Sequence, residues 1–211
     1  YDCGSGNFNK APKLLEREIT SYYKKNDVID ALFISHFDND HINGVNELRR
    51  HTSEIKNVIV PLIEQEDFWF YSIENYRFQS FYGSLTKIAN RVYKVKPASE
   101  DDKYYLLNDI GLTDLSESNE GSFEVQNATK FSLRRSIDWF YIPFNYDKKI
   151  RLNILKNELV KNGISEKELT SGWDVIEHHI DNIKNAYKTG QGKVIVRSKT
   201  MIEEANRGKM Q

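Results

Sequence analysis

The stretch Ser35-His36-Phe37-Asp38-Asn39-Asp40-His41-Ile42-Asn43-Gly44 decides how this chain is read. It closes a short apolar run over residues 29–35, which reads as a buried strand ending at His36, and it opens a helical pattern over 42–50. Four of the six residues from His36 to His41 are of metal-ligand type. Side chains alternate along extended backbone, so His36 and Asp38 project to the same side. Asp40 and His41 fall at the turn into the helix, where the chain bends back and aims both at the same volume. A ligand cluster at the end of a buried strand is rigid and open to solvent, which is what a metal site needs.

Two imidazoles and two carboxylates supply borderline nitrogen and hard oxygen donors, a set that admits Zn²⁺, Mn²⁺ or Fe²⁺, with zinc first. Two carboxylates this close repel each other unless a cation sits between them, which argues for at least one divalent ion. Such an ion lowers the pKa of its bound water to roughly 7 and makes hydroxide available at neutral pH. Hydrolysis is the natural reaction.

Outward from this stretch, residues 1–60 alternate strand, helix, strand, helix, strand, the order of a layered arrangement. Tyr1 and Asp2 lead into the turn Cys3-Gly4-Ser5-Gly6-Asn7, an amphipathic helix is expected over 12–24, and Val58-Ile59-Val60 before Pro61 reads as a strand. Residues 64–90 crowd Phe68, Trp69, Phe70, Tyr71, Tyr76, Phe78, Phe81 and Tyr82 into one long helical stretch. These rings either line a pocket or, more simply, pack helix onto sheet. Further strands are expected over 104–107, 136–144 and 194–196. Helices are expected over 148–161 and 173–187, joined by a linker over 163–172 with a cap at Ser165.

With these residues in view, the string from Ser35 to Gly44 resembles the HxHxDH signature of metallo-β-lactamase-fold hydrolases. It is closest to the ComEC/Rec2-like branch, in which the second position is often Asp. The segment Tyr1-Asp2-Cys3-Gly4-Ser5-Gly6-Asn7 resembles that branch's DxGxGD-type turn, with Asn7 where an Asp is common. The resemblance implies that His36 and Asp38 hold a first metal and that Asp40 and His41 hold a second. It makes Asp40 the residue that orients the attacking hydroxide, and Asp2 a hydrogen-bonding group behind the ligands. It implies an α+β fold, an αββα sandwich, present here as an incomplete copy with a helical insertion. Asp38 in place of the usual His makes the first site harder and more anionic, and brings manganese closer to zinc.

The family also needs a later His, a bridging carboxylate and a last His. Asp109 in Tyr104 to Gly111 is the candidate bridge, although Asn108 stands where the family has Gly. His51 reads as a histidine of a helix C-terminal turn. His178 and His179 point about 100° apart on a helix and read as ordinary helical residues. The remaining ligands are therefore expected outside these residues. The Gly4-Ser5-Gly6 turn lacks the Lys and spacing of a phosphate loop, Cys3 has no base beside it outside the metal cluster, and Arg134-Arg135 and Lys148-Lys149-Arg151 read as solvated faces.

Lys+Arg at 30 against Asp+Glu at 31 gives a net charge of -1, so the overall balance announces no nucleic-acid partner. The apolar runs fall far short of the roughly 20 residues of a membrane span. One cysteine among 211 residues fits a reducing compartment, and the cytoplasm is expected. The chain opens at Tyr1 and reads as part of a longer gene product. The expected organisation is the N-terminal half of the domain over 1–147, an accessory helical segment over 148–192, and a strand and tail over 193–211. The expected function is metal-dependent hydrolysis of phosphodiester bonds, with nucleic acid as a candidate substrate. One alternative is a hydrolase of small esters, lactones or thioesters with an apolar wall at 68–82. The other is a non-catalytic scaffold that binds a protein partner.

Overall fold

Phe37 is 2 % exposed between His36 and Asp38, which both stay half-buried, so the alternation read from the sequence is built into the backbone. The computed structural model describes residues 1–6, 12–74, 77–98, 109–112, 120–132, 140–145 and 149–170. In chain order these give helix α1 (Pro12–Tyr22), strands β1 (Val28–Ile29) and β2 (Leu32–Phe33), helices α2 (Asn39–Ile42) and α3 (Val45–His51), and strands β3 (Glu54–Ile55) and β4 (Asn57–Pro61). A 3-10 turn at Gln65–Asp67 leads into α4 (Phe68–Glu74), α5 (Phe78–Gly83) and α6 (Leu85–Ile88). Then come β5 (Arg91–Val95), β6 (Asp109–Gly111), β7 (Gly121–Val125), β8 (Lys130–Ser132), β9 (Phe140–Tyr141), α7 (Lys149–Lys161) and α8 (Glu166–Thr170). Among the described residues no helix is long and apolar enough to cross a membrane.

The chain divides into two compact units, Tyr1–Glu64 with Glu74–Asp147, and Gln65–Ile73 with Lys148–Gln211. In the first, β2, β4, β5 and β7 form a parallel sheet in that order, and β1 pairs with β3 alongside. A third sheet joins β6 parallel and β9 antiparallel to β8. The core holds Phe33, Ile59, Tyr93 and Val95 from the four-stranded sheet together with Phe131 of β8 and Leu112. Phe131 meets Phe33 and Tyr93 edge-on, with ring centroids 6.2 and 5.3 Å apart. Val58, Val60 and Val92 alternate with these residues and are also buried, so both faces of the central strands are covered. This mixed helix and strand content with parallel sheets fits an α+β fold.

Several sequence expectations are corrected. The strand expected over 29–35 is two strands, because the Asn57 side-chain amide donates to the Asp30 carbonyl (2.7 Å) where a ladder bond would otherwise form. The helix expected over 42–50 starts earlier, at Asn39, and breaks at Asn43-Gly44, where Gly44 N–H donates to the Cys3 carbonyl (2.9 Å). The long helix expected over 64–90 is a series of short ones. Within it, the Ser84 hydroxyl donates to the Phe81 carbonyl (2.9 Å) and ends α5. Of the strand expected over 136–144, residues 140–144 are described and only β9 among them is strand; 133–139 lie outside the described residues, as do the elements expected at 104–107, 173–187 and 194–196.

Among the described residues, most rings of the aromatic stretch are core. Phe78, Phe81 and Tyr82 are buried beneath the motif, and Phe37 meets Phe78 and Tyr82 with centroids 5.2 and 5.3 Å apart. In the second unit Trp69, Phe70 and Tyr71 are buried, and Phe70 meets both neighbours edge-on. There too, α7 buries Leu152, Leu155 and Leu159 at helical spacing. The expected linker contains α8, which begins at a reciprocal cap: Ser165 N–H donates to Glu168 Oε2 (2.8 Å) and Glu168 N–H to Ser165 Oγ (3.3 Å).

Burial pushes the Tyr82 phenol up to about 12 while its oxygen accepts from Ile63 N–H (3.1 Å). A folded pKa above the unfolded value of 10 means that this tyrosine's contribution is whole below pH 10 and is lost as pH rises toward 12. Stability should fall across that window by up to about 1.4 kcal/mol per pH unit from this residue. Urea unfolding of Tyr82→Phe should show a correspondingly shallower alkaline slope, and an unchanged slope would refute the assignment.

Candidate metal centre

The first five residues are sewn between β2 and the α2–α3 break. Asp2 N–H donates to the Phe33 carbonyl (2.7 Å) and Cys3 N–H to the His41 carbonyl (2.8 Å). Ser5 and Asn43 exchange two bonds, Ser5 N–H to Asn43 Oδ1 and Asn43 Nδ2 to the Ser5 carbonyl, each 3.0 Å. A Cβ on Gly4 would overlap the Asp40 carbonyl, and one on Gly44 would lie 3.0 Å from the Cys3 carbonyl, so both glycines are required by close approach. Burial pushes the Cys3 thiol up to about 11, which keeps it protonated and unreactive at neutral pH.

Asp2 lies at the centre of the hydrogen bonding. Its φ of 43° is left-handed, a conformation that costs a residue with a side chain about 1 kcal/mol. That geometry turns the carboxylate toward three donors: Ser35 N–H at Oδ1 (2.7 Å), the Ser35 hydroxyl at Oδ2 (2.6 Å) and His41 Nδ1 at Oδ2 (2.8 Å). Burial alone would raise the Asp2 pKa, but the bonds from Ser35 and His41 outweigh it and hold the carboxyl below its usual range.

An ionised carboxylate only accepts, so His41 must carry its proton on Nδ1. The Ser35 hydroxyl gives its proton to Asp2 and therefore accepts from His36 Nδ1 at 2.8 Å. One carboxylate thus places a proton on Nδ1 of both imidazoles, His41 directly and His36 through one hydroxyl, and leaves Nε2 of each outside that network. The two rings lie 3.7 Å apart. Asp38 Oδ2 lies 3.4 Å from His36 Nε2, and Asp40 Oδ2 lies 3.8 Å from His41 Nε2. Asp38 occupies the N-cap position of α2 without using its side chain to cap, so its carboxylate is not spent on the helix.

These features coincide with a family match. A family model described as "Metallo-beta-lactamase superfamily" matches residues 1–123, more than half of the chain. The chain belongs to the metallo-beta-lactamase superfamily. No curated protein and no solved structure gives a significant match.

The donor set fits the divalent metal that this superfamily typically binds. His36 Nε2 and His41 Nε2 each have one carboxylate beside them, Asp38 and Asp40, both about half exposed, but neither carboxylate joins the two histidines in a group of three ligand atoms within 4.8 Å. Asp2 brings an oxygen within 4.8 Å of ligand-type atoms of His36 and His41. Its oxygens already accept from Ser35 and His41. A second grouping, Glu16, Glu47 and His51, lies on α1 and α3. There Glu47 accepts from Arg50 (2.7 Å) and His51 Nε2 (2.8 Å), a surface network at a helix end, where the sequence put His51.

The backbone of Asp109 opens β6 opposite Lys130, and its side chain lies outside what the structure describes. His178 and His179 lie outside the described residues. Sequence reasoning quoted Ser35 within the motif but gave it no role. The available signal was a hydroxyl residue directly before the first His, with an Asp at the end of the neighbouring segment.

Two-bond nitrogen–proton NMR on metal-free protein at neutral pH should show His36 and His41 both as Nδ1–H tautomers. Ser35→Ala should release His36 and leave His41 fixed. Nε2–H forms in the wild type would contradict the network.

Proposed function

We propose that this chain is a metal-dependent hydrolase in which His36 and Asp38 hold one divalent ion and Asp40 and His41 hold another. The observation that carries the reading is the Asp2 carboxylate fixing both histidines with Nε2 outside its network. An imidazole nitrogen outside the Asp2 network, with a solvent-facing carboxylate beside it, is the donor combination that a borderline divalent ion takes, and it occurs here twice. Asp40 accepts a proton from the attacking water and orients it. Asp2 and Ser35 hold the rings so that little reorganisation is needed when charge develops. A divalent ion bound there supplies Lewis acidity and lowers the pKa of water to about 7. Zinc suits the imidazoles, while the second carboxylate in the first pair favours manganese or iron more than a second imidazole would.

The resemblance to the ComEC/Rec2-like branch supports a phosphodiester as the bond cleaved, in nucleic acid or in a smaller molecule. The small-ester reading draws on a different observation, a cavity of about 210 Å³ beside Ser35 whose described lining residues include no Lys, Arg, His, Asp or Glu. The lone cysteine supports a cytoplasmic setting.

Plasma mass spectrometry on chelator-free protein should find about one or two Zn, Mn or Fe ions per chain, since the ligands are grouped in two pairs. Asp40→Ala should lose at least one ion and abolish hydrolysis of both bis(p-nitrophenyl) phosphate and p-nitrophenyl acetate. Asp2→Asn should weaken metal binding about 10- to 100-fold. Asp109→Ala belongs in the same series as the candidate bridging carboxylate. Wild-type protein that takes up no divalent metal would defeat the proposal.

A further inference from the structure

A cavity of about 210 Å³ opens at the carboxyl ends of β2, β4 and β5 and is bordered by Ser35, whose hydroxyl bonds His36. Open parallel sheets bind ligands at this end, where connections leave the strands in different directions. Phe33, Ile59 and Val95 form its floor, and Tyr141, Pro143 and Phe144 form a wall. That wall is fixed from below. The Asn145 amide donates to the Val95 carbonyl (2.8 Å) and the Leu62 carbonyl (3.2 Å), so both its protons go to the protein frame. Tyr141 and Phe144 nonetheless remain 39 % and 48 % exposed, and Tyr1 at the rim is 82 % exposed.

No Lys, Arg, His, Asp or Glu is among the described lining residues. The nearby cations are engaged elsewhere: Lys94 lies over the Tyr82 ring at 4.7 Å, Lys96 pairs with Glu124 at 3.4 Å, and Lys130 lies over Phe140 at 5.1 Å. A polyanionic strand is gripped through its charges, and the described side chains lining this cavity offer none. Exposed apolar surface lining a recess marks a binding site for apolar groups. Dry apolar cavities of about 150 Å³ accept benzene, so this volume holds one ring with a short substituent.

We propose that the cavity seats the uncharged, apolar side of the substrate, an aryl or short acyl group attached to the ester bond. This rests on the hydrolase reading and narrows it. The occupant is neutral, compact and flat.

The test uses the intact 211-residue chain, chelated and zinc-loaded. In the chelated protein, benzamide should shift amide resonances of Ser35, Val60 and Val95, and it should bind about tenfold more tightly than benzoate or dimethyl phosphate. In the zinc-loaded protein, kcat/KM should favour phenyl acetate over methyl acetate. Phe144→Ala should erode both preferences about tenfold at unchanged metal content, and Phe144→Leu should restore most of them. Benzamide binding at the cavity without any turnover would support the ligand class and remove the hydrolase reading. Turnover with no phenyl preference and no shifts at the cavity would overturn the inference. So would equal binding of dimethyl phosphate, or shifts that follow protein concentration alone and so place a second copy there.

Discussion

The Asp2 carboxylate is the constraint on which the rest of this site depends. It gathers three donors from two segments more than thirty residues away in sequence, and it does so from a left-handed backbone. Without those bonds the buried charge would be costly and the strained φ would have nothing to hold it. With them, the N-terminal segment is locked to the end of β2 and to α2, and both histidines are committed to a proton on Nδ1. The glycines at positions 4 and 44 serve the same end by letting two backbone segments approach without Cβ atoms between them.

From that lock the site is built outward in layers. Beneath it, Phe37 is the inward member of an alternating run, seated against Phe78 and Tyr82, so the backbone carrying His36 and Asp38 has a rigid base. Above it, the carboxylates of Asp38 and Asp40 remain solvated, which keeps their desolvation cost low until a cation arrives. Beside it, the strand ends of β4 and β5 leave an apolar recess. Charged chemistry and apolar recognition therefore sit next to each other, the usual division of labour where a few polar groups act and an apolar surface orients.

The motif from Ser35 to Gly44 was legible because its chemistry lies within ten consecutive residues and the period of a strand fixes which side chains share a face. The start of α1, the strand before Pro61 and the Ser165 cap were legible for the same reason, since each is set by neighbours in sequence. The break between α2 and α3 was not, because its cause is the Cys3 carbonyl, forty-one residues earlier than Gly44. The split between β1 and β2 depends on Asn57 reaching back to Asp30. The aromatic stretch over 68–82 was ambiguous because composition does not distinguish a buried ring from a wall ring. The apolar wall is instead assembled from β9 and the residues after it, a segment whose role depends entirely on where the sheet ends place it.

X-ray absorption at the zinc edge of the zinc-loaded chain tests the central claim most directly. The account predicts a shell of imidazole nitrogens and carboxylate oxygens with no sulfur, one that is retained with weaker affinity in Asp2→Asn, because Asp2 stands behind the ligands. Loss of an oxygen from that shell in Asp2→Asn, with affinity otherwise unchanged, would put Asp2 on the metal and contradict it.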